Sequence, residues 1–237
     1  KTPTDGMVAK FPVRKGETDA ASFMAHGFDP DLATWSPFHG AVYAVLLSVA
    51  RLVSMGADWR QAYLTLQEYF EKLTDKNSWG KPAAALLGAF HAQMALGLGA
   101  IGGKDSMSGT FNDLHVPPTL VSFAIAPGKA SEAVSQELKK EGDTLILFGQ
   151  PKDAEGMPLL DVFKAHADFL YEEVRKGHIA AMKAVDHGGV AVTIAKMAFG
   201  NRLGVTFDSK LPLPKYFANF YGAIAVSYTH LRAHETE

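Results

Sequence analysis

Apolar residues recur at two spacings along the chain, and these spacings predict strands alternating with helices. Apolar residues at helical spacing predict a helix that begins at Pro37, after the capping residue Ser36, and ends near Gly56. Alternating or continuous apolar runs predict strands elsewhere. The predicted strands are residues 7–13, 18–26, 62–66, 119–126, 143–148, 205–207 and 222–226.

A second long helix is predicted to begin at Lys81 and Pro82, because proline is favoured in the first turn of a helix. Its large apolar residues recur at helical spacing and are expected to form a buried stripe. These residues are Leu86, Leu87, Phe90 and Met94. Further helices are predicted over residues 159–176, 179–184 and 189–199.

The order of these elements predicts two lobes in the α/β (α+β) class, each with a mixed sheet and helices packed on it. A polar stretch over residues 127–140 separates residues 1–127 from residues 141–227. Residues 228–237 have no periodicity and are interpreted as a non-native tail. The chain does not begin with Met, so it is expected to be a truncated piece of a longer protein.

Composition excludes several classes of function. Lys and Arg number 23 against 25 Asp and Glu, so charge gives no reason to expect nucleic acid or an anionic membrane as a partner. Cysteine is absent, which excludes disulfides, thiolate metal sites and a cysteine nucleophile. No uninterrupted apolar run reaches the roughly 18 residues of a membrane span. A cytoplasmic location is therefore predicted.

The segment from Ile101 to Gly109 has the composition of a phosphate-binding bend. Glycines allow backbone N–H groups to approach a phosphate, and an adjacent lysine, here Lys104, neutralises its charge. Asp105 and Ser106 provide oxygens that could orient Mg²⁺.

This segment has two other interpretations. A P-loop is disfavoured, because Leu98 stands where its first glycine belongs and Asp105 replaces its Ser or Thr. The other alternative is a tight turn whose glycines serve backbone geometry, with Lys104 in solvent. Spacing alone leaves that alternative open.

The string Gly-Gly-Lys-Asp-Ser-Met-Ser over residues 102–108 resembles the signature of phosphoribosylformylglycinamidine synthases. Residues 35–43, 67–70, 82–90 and 187–200 also resemble this family, in its long single-chain type. The resemblance extends over nearly all of residues 7–226 and is therefore more specific than any one motif.

The resemblance implies a two-lobed module like aminoimidazole ribonucleotide (AIR) synthase, the second of two in the full protein. The implied activity is an ATP-dependent carbon–nitrogen ligase that converts formylglycinamide ribonucleotide and glutamine to the amidine in purine biosynthesis. ATP/ADP and Mg²⁺ are the implied cofactors. The implied partners are the first module and the glutaminase domain of the same protein, so the fragment alone is expected to be inactive.

The resemblance also implies a nucleotide site, with Asp105 as the metal ligand. Its residues are Gly102, Gly103, Lys104, Asp105, Ser106 and Ser108. Catalytic residues stay unassigned. The family's helical Glu and Asn, which bind metal, are replaced by Leu47 and Arg51. The alternative functions are therefore a non-catalytic scaffold module that pairs with the catalytic half, or another ATP-dependent enzyme of the AIR synthase superfamily.

Overall fold

A computed structural model describes residues 2–207 and 212–229. The helices within these ranges are α1 (Pro30–Trp35), α2 (Pro37–Ser54), α3 (Lys76–Leu96), α4 (Leu160–Arg175), α5 (Gly189–Phe199) and α6 (Leu213–Tyr216). The strands are β1 (Gly6–Lys10), β2 (Ala20–Gly27), β3 (Tyr63–Tyr69), β4 (Gly99–Ser106), β5 (Thr110–Phe111), β6 (Leu114–His115), β7 (Thr119–Lys129), β8 (Thr144–Phe148), β9 (Ile179–Ala184) and β10 (Ile224–Tyr228).

The first lobe is built on a five-stranded mixed sheet in the order β1-β2-β7-β3-β4. The pair β3 and β4 is parallel, and the other neighbours are antiparallel. Helix α2 packs against this sheet and against α3. The helix α2 confirms its sequence signals, because the Ser36 side chain accepts a hydrogen bond from the His39 backbone N–H and Pro37 is the first helical residue.

Helix α2 is the core of this lobe. Within the described ranges it is the one helix that is long and apolar enough to cross a membrane, yet 72% of it is buried inside the protein. Its side chains Leu46, Leu47 and Leu52 are almost completely inaccessible. Its apolar composition is therefore accounted for by the core that it forms.

The predictions for α3 were wrong in two respects. The helix begins at Lys76, because Asp75 and Ser78 form a capping box, and Pro82 lies inside the helix. The predicted buried stripe is exposed, and small residues face α2 instead. The exposed residues are Leu86, Leu87, Phe90 and Met94, at 49–67% accessibility. The buried residues are Ser78, Pro82, Ala85, Gly88, Ala89, Ala92 and Leu96.

The second lobe contains an antiparallel sheet in the order β8-β10-β9, with α4 and α5. The sheet is therefore not mixed as predicted. Residues 179–184 form a strand and not the predicted helix, because a short apolar run buried on both faces has no periodicity to identify it. Residues 205–207 form no strand. Strand β10 extends to Tyr228, and residues 230–237 of the predicted tail lie outside the described residues.

Polar contacts join the two lobes. The pairs are Arg51 with Asp186, Tyr221 with Asp29, and Lys183 with Asp5. The chain start also contacts the second lobe, since the Gly200 backbone N–H donates to the Thr2 hydroxyl at 3.0 Å. The lobe limits at residues 127 and 141 stay predictions.

Candidate functional site

The glycine-rich segment forms an edge strand and not the predicted bend. Helix α3 ends at Leu96 and is capped by Gly97, which has a left-handed backbone (φ +70°); the chain then enters β4 (Gly99–Ser106). Strand β4 pairs with β3 on one side and with no described strand on its other side. Backbone groups along that second side are therefore not used in strand pairing, although the Ala100 N–H donates to the Gln93 side chain.

Lys104 and Asp105 are adjacent in sequence, but strand geometry places their side chains on opposite faces of the sheet. In the parallel register, Gln67 lies beside Lys104 and Glu68 lies beside Asp105. Successive side chains of a strand point to opposite faces of the sheet. The Lys104 ammonium lies 5.9 Å from the centre of the Tyr69 ring. Lys104 and Tyr69 therefore share one face, and Asp105 shares the α3 face with Glu68.

Gly102 and Gly103 of β4 differ in how much space surrounds them. A Cβ atom at Gly103 would overlap the Leu66 carbonyl oxygen, so the close approach of β3 and β4 requires glycine there. A Cβ atom at Gly102 would have no neighbour within 4 Å. Backbone geometry therefore explains Gly103, and the space at Gly102 is open to an approaching group.

The two serines of the signature come together at the end of β4. The Ser106 and Ser108 hydroxyl oxygens lie 3.3 Å apart. The Ser106 carbonyl accepts a hydrogen bond from the Phe70 backbone N–H at 2.9 Å, and the Gly109 N–H donates to the Phe70 carbonyl at 3.0 Å. These bonds fix the turn that follows β4.

An open cavity of about 220 Å³ lies between β3, β4 and α3. It is lined by Leu66, Glu68, Leu86, Gly103, Lys104, Asp105 and Met107. Three of the six predicted binding residues therefore border one cavity, and the structure adds Glu68, which the sequence analysis missed.

Glu68 has little exposed surface, and its carboxylate borders the cavity without a protein partner in the described ranges. It is 5% exposed, and no hydrogen bond or ion pair joins its carboxylate to any other residue that the structure describes. Burial, and secondarily the neighbouring Asp105 carboxylate, raise the pKa of Glu68 to about 6. Across residues 2–207 and 212–229, no three His, Asp or Glu side chains converge as a metal-binding group.

Replacing Glu68 with Gln is expected to stabilise the metal-free protein at pH 8. Because the folded protein raises the pKa of this acid from 4.5 to about 6, its stability falls as the pH rises through that interval. The cost at pH 8 is at most about 2 kcal/mol, because the carboxylate borders an open cavity. Urea unfolding with EDTA should show that gain for Glu68→Gln at pH 8 and a smaller gain at pH 5. The exposed control Glu172→Gln should show neither; a less stable Glu68→Gln protein at pH 8 would reveal an undetected partner of the carboxylate.

Two residues of α2, Leu47 and Arg51, stand where the sequence resemblance leads one to expect metal-binding side chains. Leu47 is buried at 1% exposure in the core. The Arg51 guanidinium donates to the His26 carbonyl at 2.8 Å and pairs with Asp186. Burial opposes ionisation of Asp186, but Arg51 and the His187 backbone N–H outweigh it and lower the pKa of Asp186. Arginine thus supplies the positive charge at this contact between the lobes.

Comparison with known proteins finds similar sequences along almost the entire chain. The chain is 27% identical to the phosphoribosylformylglycinamidine synthase subunit PurL of Thermococcus kodakarensis, over 99% of this chain and 35% of that protein. It is 26% identical to the PurL subunit of Wolinella succinogenes, over 94% and 33% respectively. The chain therefore spans about a third of the length of these relatives. No family model matches it.

Solved structures show the same fold. Thermotoga maritima PurL complexed with FGAR has a TM-score of 0.69 at 14% identity, covering 95% of this chain and 40% of that one. The PurL structure complexed with AMPPCP has a TM-score of 0.68 at 16% identity, covering 94% and 37%. Thiamine monophosphate kinase from Aquifex aeolicus has a TM-score of 0.60 at 12% identity, covering 98% and 85%. The chain thus has the AIR-synthase-like fold, and the sequence matches confirm its resemblance to phosphoribosylformylglycinamidine synthases.

Proposed function

We propose that this chain is the second AIR-synthase-like module of a phosphoribosylformylglycinamidine synthase and that it binds ATP or ADP along β4. The observation that carries the proposal is the 102–108 signature on an edge strand bordering an open cavity. Sequence similarity to PurL subunits over 99% of the chain supports the same assignment. In the complete protein the reaction would be the ATP-dependent conversion of formylglycinamide ribonucleotide to the amidine, in the cytoplasm.

The residues of β4 suit the binding of a phosphate chain. In the proposed reaction ATP phosphorylates the amide oxygen of the substrate, which makes that oxygen a leaving group, and ammonia then displaces phosphate. The site must therefore hold the phosphates of the nucleotide. Lys104 would offset phosphate charge on one face of the strand, and the open space at Gly102 would admit a phosphate oxygen close to the backbone. Asp105 fits a magnesium ligand, since it is a carboxylate bordering the cavity on the other face.

A scaffold role is the second candidate, and Leu47 and Arg51 favour it. Both occupy positions where metal-binding side chains are expected from the resemblance, and Arg51 is engaged with Asp186. In this version the module supports the first module and the glutaminase domain of the same protein. The exposed apolar residues of α3 would suit such a contact, because large exposed apolar patches mark interaction surfaces.

Titration of the purified chain with Mg-ADP by calorimetry tests the proposed site. Lys104→Ala is expected to weaken binding by about tenfold or more, because it removes a charge adjacent to the phosphates. The control Lys10→Ala removes an exposed lysine from β1, the opposite edge strand of the sheet, and should bind as the parent does.

Equal affinity in Lys104→Ala and the parent would exclude β4 as the phosphate site. If Mg-ADP binds neither to the parent nor to either variant, the scaffold role is favoured over nucleotide binding.

A further inference from the structure

We propose that Glu68 and Asp105 together form a divalent-cation site in the cavity between β3, β4 and α3. This inference builds on the proposed nucleotide site and adds a ligand, Glu68, from outside the 102–108 signature. The site would take a magnesium-like ion whose remaining ligands are water and phosphate oxygens.

Strand pairing brings the two carboxylates together. Glu68 and Asp105 are neighbours in the parallel register of β3 and β4. Neighbouring strands lie about 4.8 Å apart, so two side chains on the same face can reach one ion. Both residues line the same cavity.

Charge and burial favour a cation beside these two carboxylates. Glu68 is 5% exposed, its carboxylate borders the cavity, and it has no hydrogen-bond or ion-pair partner among the residues that the structure describes. Lys104 also borders the cavity, but its ammonium lies 5.9 Å from the centre of the Tyr69 ring, on the opposite face of the sheet from the two carboxylates. An unpaired buried carboxylate is costly, and a bound cation would offset that cost.

The donor set selects the class of ion. Magnesium is commonly held by one or two protein carboxylates, with water and substrate phosphates completing its shell. Two carboxylates in an open cavity of about 220 Å³ satisfy this requirement and leave room for water. A structural zinc site would need four protein ligands, and the chain has no cysteine.

Binding of Mn²⁺ to the purified chain, followed by electron paramagnetic resonance without nucleotide, tests the site. One ion per chain is expected, with Glu68→Gln and Asp105→Asn each weakening its binding by about tenfold or more. Asp113→Asn, which removes an exposed carboxylate at the β5–β6 turn, should leave binding unchanged.

Thermal unfolding distinguishes lost ligation from lost folding. Mn²⁺ should raise the melting temperature of the parent but not of Glu68→Gln, which in EDTA should melt above the parent. Absence of Mn²⁺ binding to the parent, or unchanged binding in Glu68→Gln, would overturn the inference. If ADP still binds in either case, the proposed nucleotide site stands while the cation site falls.

Discussion

Replacing Lys183 with Met is expected to lower the free energy of unfolding by about 3–5 kcal/mol, since it leaves a buried carboxylate without its cation. Lys183 and Asp5 form an ion pair in which both side chains are 4% exposed. The Asp5 carboxylate also accepts hydrogen bonds from the Ser54 hydroxyl and the Ala184 N–H, each at 2.8 Å. Methionine matches the length of lysine, so the change removes charge with little loss of packing.

Urea unfolding followed by circular dichroism measures this loss. The matched control is the double variant Asp5→Asn/Lys183→Met, which removes both charges and should recover most of the lost stability. Asn at position 5 can still accept a hydrogen bond through its side-chain carbonyl. An exposed ion pair contributes up to about 1 kcal/mol. If Lys183→Met lowers the free energy of unfolding by less than that, the pair is hydrated in solution.

Replacing Gly88 with Ala is expected to cost about 3 kcal/mol, although alanine favours helix. Gly88 lies where α3 crosses the beginning of α2, and an added Cβ would overlap the Phe38 carbonyl oxygen. Backbone cannot move aside as a flexible side chain can, so the two helices would have to separate. The substitution therefore weakens the contact between α2 and α3, the main helix–helix contact of the first lobe.

Gly80→Ala is the matched control on the same helix. A Cβ at Gly80 would have no neighbour within 4 Å, so this change should stabilise the protein by up to about 1 kcal/mol. Unfolding of both variants in urea gives the comparison. Equal stabilities for the two variants would contradict the close approach of α2 and α3.

Local signals predicted the elements that have clear caps or continuous patterns. Ser36 and Pro37 placed the beginning of α2 correctly. The predicted start of α3 at Lys81 and Pro82 was wrong. Pro82 is tolerated inside the helix, and the capping box at Asp75 marks the true start. The stripe assignment failed because α3 contacts α2 through small residues, which leaves Phe90 and its apolar neighbours outside.

The candidate site was predictable only in part. The 102–108 signature located β4, but its glycines indicated a bend where a parallel strand exists. Glu68 was missed, because nothing in the local sequence specifies that it becomes the neighbour of Asp105. Strand register across a helical crossover depends on the packing of the whole lobe.

The Asp5–Lys183 pair also has a consequence for the order in which the chain folds during synthesis. Its members are 178 residues apart, so Asp5 leaves the ribosome long before its cation exists. At ordinary translation rates that interval is roughly 10 to 40 s. Until then Asp5 has neither Lys183 nor the Ala184 N–H as a partner, so this contact between the lobes forms late. A chain released before residue 183 therefore carries a carboxylate that the finished protein keeps paired and buried.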